Sequence, residues 1–411
     1  MSDASTIVHS IWRKLPAGPR QRFYEKLTLA FASKATESDA LPGSWSPPYI
    51  VAGALSAPTG LGESARLLLK GLQALGEDVA AIDLSPRLRQ KSFVPIAQTK
   101  APKLGSGTLF LVVQPPNVGS ALQAIGRDIL RDKRRVGHWV WDLTELPKHW
   151  LSSRPYVHDL ATPSRFCADL FAHAFGERIS ILPYPVGIDE YHVQSHMGDL
   201  FTFGTAFDLG STAARKNPMA ALDAFERAFP ERNGKVRLSI KIRGEMADMA
   251  TFAEIERRAR RYGSDVQIIT GDMTSKELER WWTGIDVFVN LHRSEGFGLL
   301  VAEAMLRKIP PIVTDWSATS EYVDSSSGWP IAYDMVPVED PSGKYVSAHS
   351  RWADARITEA AAAMVAAAEA GRSAAEAKGR SGAEHLRELF GAKEFARSLR
   401  EGGPIRVSSG E

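Results

Sequence analysis

The stretch Leu291–Met305, LHRSEGFGLLVAEAM, constrains this chain more than any other part of it. The apolar run Val287–Leu291 ahead of it reads as a buried strand, and Leu299–Arg307 reads as an amphipathic helix, so the segment is strand, glycine loop, helix. A helix entered through glycines presents free backbone N–H groups and the positive end of its dipole, and an anion fits there. Gly296 and Gly298 let the backbone come close to such a ligand. Glu295 lies in the loop before the helix and Glu303 about a turn inside it. Acceptor-only carboxylates on both sides of an anion site suit a ligand with phosphate in the middle and hydroxyls at both ends, which describes a nucleotide sugar. The plainer alternative is one capping and one surface glutamate.

The rest of the chain supplies repeats of the same strand-helix unit. Tyr49–Leu55 reads as a strand, Glu63–Leu75 as a helix, Val79–Ile82 as a second strand ending in Asp83, then Leu109–Val113 and Val136–Trp141. ATPSRF, CADLFAHAF and ISILPYPVGID continue as strand, helix and strand, with Pro183 and Pro185 marking a hinge. The pattern restarts at Phe201, with strands at Phe201–Ala206, Val236–Ile242 and Val266–Thr270, a helix Pro218–Phe229, and a capping box of Thr274 with Glu277. Strand and helix in alternation imply parallel sheets, and 411 residues exceed one ordinary core. Beyond Asp334 regularity lapses until Trp352, and alanine-rich helices follow, with stops at Gly371 and Gly391. The expected organisation is a helical lead-in over 1–47, Rossmann-like domains over 48–190 and 191–385, and a C-terminal helix and tail over 386–411.

EGFGLLVAEAM resembles the donor-binding signature of retaining glycosyltransferases built from two Rossmann-like domains, the GT-B architecture, and in particular the family numbered four. The resemblance implies that Glu295 meets the transferred sugar, that the backbone of Phe297, Gly298, Leu299 and Leu300 meets sugar and diphosphate, and that Glu303 holds the ribose. It places Met273 in the donor set and implies that the last helices cross back to the first domain. It also implies an enzyme of bacterial-type polysaccharide synthesis that moves a sugar from a nucleoside diphosphate to a glycan or lipid-linked glycan; the expected cytoplasmic address rests instead on the N-terminal pattern and cysteine usage. The family carries an arginine just after the first strand of its second domain and a lysine some residues later, both on the diphosphate. In DLGSTAARKNP, Lys216 matches the lysine, whereas Phe207 and Asp208 stand where the arginine belongs, and Arg215 is the candidate substitute.

Other positions admit two readings each. Gly60 and Gly62 in GLGESA can bring amides to the donor or acceptor. They also fit a dinucleotide fingerprint with Asp83 as its ribose acid, which would make the chain a nicotinamide-dependent oxidoreductase. Against that, Ser56–Thr59 separate the strand from the first glycine. A nucleotide-sugar isomerase or binding protein of the same fold is a further alternative. His138, Val140 and Asp142 fall on one strand face with Trp139 and Trp141 on the other, so His138 or Asp142 either meets the acceptor or is a satisfied strand-end group. His292 stands directly before the loop and could donate to the sugar or to Glu295. Asn117 is a similar strand-end candidate, and Arg131, Lys133, Arg134 and Arg135 read as a solvated helix end or an acceptor site.

Composition removes several classes of function. Net charge of +2 argues against nucleic acid as a partner, and no run of about 18 apolar residues could span a bilayer. The N-terminus lacks a secretory pattern, and the single Cys167 excludes an internal disulfide or a thiolate metal cluster. No two aspartates stand one residue apart, so no manganese-holding D-x-D pair exists and no metal is expected; the cations and the helix end must neutralise the leaving group. Residues 11–34 include Arg13, Lys14, Arg20, Arg22, Lys26 and Lys34, with Phe23, Leu27, Ala30 and Phe31 on one helical face. That face either lies on an anionic membrane or docks on the first domain.

Overall fold

The computed structural model describes residues 17–36, 45–176, 179–188, 191, 198–231, 234–345 and 349–402. The first sheet comprises β1 (Tyr49–Gly53), β2 (Val79–Asp83), β3 (Gly107–Val112), β4 (Lys133–His138), β5 (Asp159–Thr162) and β6 (Ser180–Ile181), in the order β2-β1-β3-β4-β5-β6. The second comprises β7 (Phe201–Asp208), β8 (Val236–Arg243), β9 (Val266–Thr270), β10 (Val287–Asn290), β11 (Pro311–Thr314) and β12 (Trp329–Ile331), in the order β12-β11-β10-β7-β8-β9. Every pairing in both sheets is parallel. Strands such as YIVAG and VFVN are buried at every position, because helices cover both faces of a parallel sheet. These are two Rossmann-like doubly wound domains. Their clefts open where parallel sheets always offer them, at the carboxyl ends of the strands.

The chain ends by returning to its beginning. Helix Ile357–Phe390 is broken at Gly371, where φ is 78°, and it is followed by Ala392–Arg400. Phe395 and Leu399 from that last helix are buried in the first-domain cluster with Trp45, Tyr49 and Leu72.

Three local expectations are corrected. The strand expected over Val136–Trp141 is β4, Lys133–His138, so Trp139–Asp142 form a connection rather than alternating strand faces. Lys133, Arg134 and Arg135 are therefore strand residues: Lys133 is buried and donates to the Gly105 and Ser106 carbonyls at 2.6 and 2.7 Å, and Arg134 pairs with Asp159 at 2.7 Å. The solvated helix end holds for Arg131 alone, exposed at the end of helix Arg127–Leu130, and the buried partners of the other three leave no acceptor site.

The segment 334–352 is irregular over its described middle, 338–345 and 349–350, but not at its ends. It holds the antiparallel hairpin β13 (Tyr333–Pro337) and β14 (Arg351–Ala355), whose alternation is masked by charged and proline residues at exposed positions. The hairpin's Tyr345 and Trp352 are buried with first-domain residues such as Trp141 and Trp150, so this arm spans the two domains.

The third correction concerns the N-terminal helix, Ala17–Ala30. Its docked face is Glu25, Thr28 and Leu29, while Phe23, Leu27 and Phe31 are exposed. The apolar face is thus not the one that packs on the first domain. Arg13 and Lys14 lie outside the described residues.

Candidate active site

The central loop leaves β10 and enters helix Leu299–Leu306 through Gly298, whose φ of 87° is the left-handed conformation open to glycine. A side chain there would also meet Thr319 at 2.5 Å and the Tyr322 hydroxyl at 2.7 Å. Val301 and Ala302 are the first to bond back to the Gly298 carbonyl, so the amides of Leu299 and Leu300, both half-buried, form the open first turn. Ser317, held at φ 65°, accepts from the Glu295 amide at 2.9 Å, and Ala318 donates to the Glu295 carbonyl. Backbone strain at Ser317 thus fixes the loop.

Glu295 is buried, with Lys216 against one carboxylate oxygen and Arg215 3.1 Å from the other. Burial alone would raise its pKa, but Lys216 and then Arg215 outweigh burial and hold the carboxyl well below the usual range. The short helix Ala213–Lys216 that carries both cations is bounded by Thr212 at φ 73° and Asn217 at φ 50°, a tight detour that turns both side chains toward the loop after β10. Arg215 is buried and also donates to the Ser294 carbonyl at 2.8 Å. Lys216 is the more accessible cation, with 17% of its side chain exposed against 6% for Arg215.

Glu303 stands at the cleft with a quarter of its side chain exposed, 3.1 Å from Arg307. Burial, reinforced by Glu63 across the cleft and by Glu279 but opposed by Arg307, raises its pKa to about 7. Met273 follows β9 and is half-buried. Gly60 and Gly62 lie in the first turn of helix Gly60–Ala74 rather than ahead of it. Gly60 faces open space. The Gly62 amide is capped by the Thr59 hydroxyl at 3.2 Å, and a side chain at Gly62 would meet the Ala57 carbonyl at 2.3 Å. Asp83, the ribose acid of the dinucleotide reading, is occupied by the hydroxyls of Ser56 and Ser85 at 2.5 and 2.6 Å.

Three expected site residues sit behind the surface. His138 is buried, with Nε2 2.9 Å from the Leu182 carbonyl and its ring against Tyr184. His292 is fully buried, with Nε2 2.8 Å from the Thr319 hydroxyl. Burial pushes the pKa of both imidazoles down to about 4. Neither ring is offered to a ligand in this arrangement; His292 instead holds Thr319 under Gly298. The Phe297 side chain is core, packed against Tyr184, Tyr322 and Phe390.

Two residues were missed or underweighted. Arg243, at the end of β8, lies 3.4 Å from Asp208 and 3.2 Å from Asp272, and donates to the Pro58 carbonyl of the first domain at 2.6 Å. A guanidinium from the neighbouring strand thus reaches the β7 terminus, where the sequence lacks its arginine. Tyr345 donates to Asp142 at 2.5 Å beside Arg215. No periodicity marks either residue.

Two Rossmann-like domains facing across a cleft, with the last helix returning to the first, define the GT-B fold of glycosyltransferases. Residues 207–350 match the family model described as Glycosyl transferases group 1. The lipopolysaccharide core biosynthesis mannosyltransferase LpsB of Rhizobium meliloti (strain 1021) is 35% identical over 80 residues, which is 19% of this chain and 22% of that protein. Among solved structures, Anabaena Alr3699/HepE in complex with UDP and glucose superposes with a TM-score of 0.59 at 12% identity, covering 86% of this chain and 98% of that one. A point mutant of S. aureus TarM, in complex with fondaparinux, alpha-GlcNAc-glycerol and UDP, gives 0.52 at 12% identity, covering 72% of this chain but 54% of that one.

Proposed function

We propose that the chain is a glycosyltransferase that moves a sugar from a nucleoside diphosphate to a hydroxyl of a glycan or lipid-linked glycan, with retention and without a metal. The observation that carries this reading is the pairing of Glu295 with Lys216 and Arg215 directly before the open first turn of helix Leu299–Leu306. Glu303 lies on the other side of that turn. The diphosphate sits on the Leu299 and Leu300 amides and Lys216, with Arg243 as the cation that takes the place of the missing arginine. Glu303 accepts from the ribose and Glu295 from the sugar. Cations and amides fixed in a cleft stabilise the departing diphosphate, and its oxygen takes the acceptor proton. The UDP bound by Alr3699/HepE and by TarM supports a nucleotide sugar as donor, and the mannosyltransferase LpsB supports a glycan acceptor.

The test is release of free nucleoside diphosphate. Transfer releases it only when acceptor is added; release without acceptor, or none with any sugar nucleotide, rejects the reading. Lys216→Ala should lower kcat by about 10² to 10³, as expected when one group stabilising a developing charge is removed.

The cytoplasmic face of a membrane is the proposed place of action. No helix among the described residues is long and apolar enough to cross a membrane. Contact is assigned to the outward Phe23, Leu27 and Phe31, with the exposed Lys26 and Lys34 beside them.

A further inference from the structure

Asp142 belongs to the first domain, four residues beyond the end of β4, yet its carboxylate is spent on the second. One oxygen accepts from the Gly296 amide at 3.0 Å, and the other accepts from the Tyr345 hydroxyl at 2.5 Å and lies 3.4 Å from Arg215 Nε. Arg215 then reaches Glu295 at 3.1 Å through its other arm. The path from Asp142 to Glu295 is therefore one guanidinium long.

Both ends of that path are rigid. Trp141, next to Asp142, donates to the Glu145 carbonyl at 2.8 Å and packs its ring on Trp150 and Tyr345 at 4.7 and 5.1 Å. Tyr345 is brought across by the β13–β14 arm and is buried. Gly296 permits the approach: a side chain there would meet Val140 at 2.3 Å and the Trp141 carbonyl at 2.9 Å. Ser164 adds a hydrogen bond to the Gly296 carbonyl at 2.7 Å, and the amides of Arg165 and Phe166 bind the Glu321 carboxylate at 2.9 and 2.7 Å.

The charge balance explains why the acid is needed. Arg215 and Lys216 bring two cations to Glu295, which balances only one. Glu295 and the Ser294 carbonyl hold only one terminal nitrogen of the buried guanidinium, so without Asp142 its Nε side would face no counter-charge, and an uncompensated buried charge is costly. Asp142 supplies the second carboxylate and gives Arg215 one orientation.

We propose that Asp142, with Tyr345, is a positioning residue contributed across the cleft, which fixes Arg215 against Glu295 so that the site is assembled only when the two domains are closed. The inference rests on the function proposed above for the effect on turnover. The contact itself can be measured without that function.

The experiment compares the full chain with Tyr345→Phe, which keeps the buried ring, Asp142→Asn, and the double variant. The first readout is hydrogen exchange of the peptide spanning 294–300, in the ligand-free protein. Faster exchange in both single variants is expected, because the Gly296 amide faces an uncharged, weaker acceptor in Asp142→Asn and an acceptor without its supporting hydroxyl in Tyr345→Phe. Unchanged exchange overturns the inference whether or not the chain transfers sugar. The second readout is turnover with the donor identified by thermal shift. Here kcat should fall about 10-fold in Tyr345→Phe and about 100-fold in Asp142→Asn, the loss expected when a reacting geometry is displaced by about 1 Å, with donor KM within about twofold. The double variant should be no slower than Asp142→Asn, since Tyr345 acts through Asp142. Wild-type kcat in either single variant, or additive losses in the double, overturns it. Absence of turnover in the unmodified chain would count against the proposed function and leave the exchange result to decide the inference.

Discussion

At the scale of single residues the site is a set of charges whose states are fixed before any ligand arrives. Glu295 is ionised throughout the working range because Lys216 and Arg215 outweigh its burial, so it accepts hydrogen bonds and does not donate them. Glu303 differs, since its pKa is raised to about 7. A ribose hydroxyl donates best to the ionised form, so nucleotide affinity should rise between about pH 6 and about pH 8 as the proton leaves. Calorimetry at the two pH values checks this, and Glu303→Gln should bind weakly at both with the difference removed.

Buried titrating groups also act on stability, and with opposite signs. His138 and His292 have folded-state pKa values of about 4, below the unfolded value, so each costs stability as pH falls from about 6.5, about 2 kcal/mol by about pH 5. Glu25 is raised to about 7 by burial, against a weaker opposing hydrogen bond from Ser152. The folded state therefore holds that proton more tightly, and its contribution to stability is lost as pH rises from about 4.5 to about 7. Denaturant unfolding of Glu25→Gln should show a chain more stable than the parent near neutrality and more steeply destabilised on acidification; identical pH profiles would exclude the assignment.

The sequence made Glu295, Lys216 and Glu303 legible because they sit within a short motif or one loop of it. Asp142 and Tyr345 were not legible in this role, because their bonds join residues 154 and 203 positions apart, and such contacts leave no local pattern.

At the scale of elements, regular strands were readable wherever burial on both faces made an apolar run, as in β1, β3 and β10. β4 was displaced because Lys133 and Arg135, which look like surface residues, are buried with carbonyl partners. The β13–β14 arm was missed for a different reason: its apolar residues face a domain distant in sequence. Glycine positions carry element-level consequences. Gly298→Ala must hold a left-handed φ and meet Thr319, so it should cost about 1 to 3 kcal/mol in denaturant unfolding and weaken nucleotide binding.

The N-terminal helix makes a separate prediction. Its outward Phe23, Leu27 and Phe31 should carry the chain onto vesicles containing anionic lipid, and Phe23→Ser with Leu27→Ser should abolish sedimentation with them while leaving unfolding unchanged. Binding that persists in the variant would remove the helix from the account.

At the scale of the whole molecule the two large sheets are linked, among the described residues, by the β13–β14 arm and by the returning C-terminal helix as well as by the connection after β6. Phe395 and Leu399 complete the first-domain core, and Phe395 packs so closely on Gly71 that a side chain there would meet it at 2.7 Å. Ending the chain at Phe390 should therefore destabilise the first domain by several kcal/mol, about 3 to 5 from Phe395 alone, and calorimetry should resolve a lowered first transition. The return of the last helix was implied by family resemblance alone, since an amphipathic helix does not say in its own sequence which domain it covers.

The most direct measurement of the central claim is calorimetric titration of UDP, GDP and ADP into the full chain, its Lys216→Ala variant and its Glu303→Ala variant. One nucleotide should bind the unmodified chain, and each variant should lose at least about tenfold in affinity, the loss of one charge-assisted hydrogen bond. No binding by any of the three, or equal binding by all three proteins, would contradict the placement of the donor on the first turn of helix Leu299–Leu306.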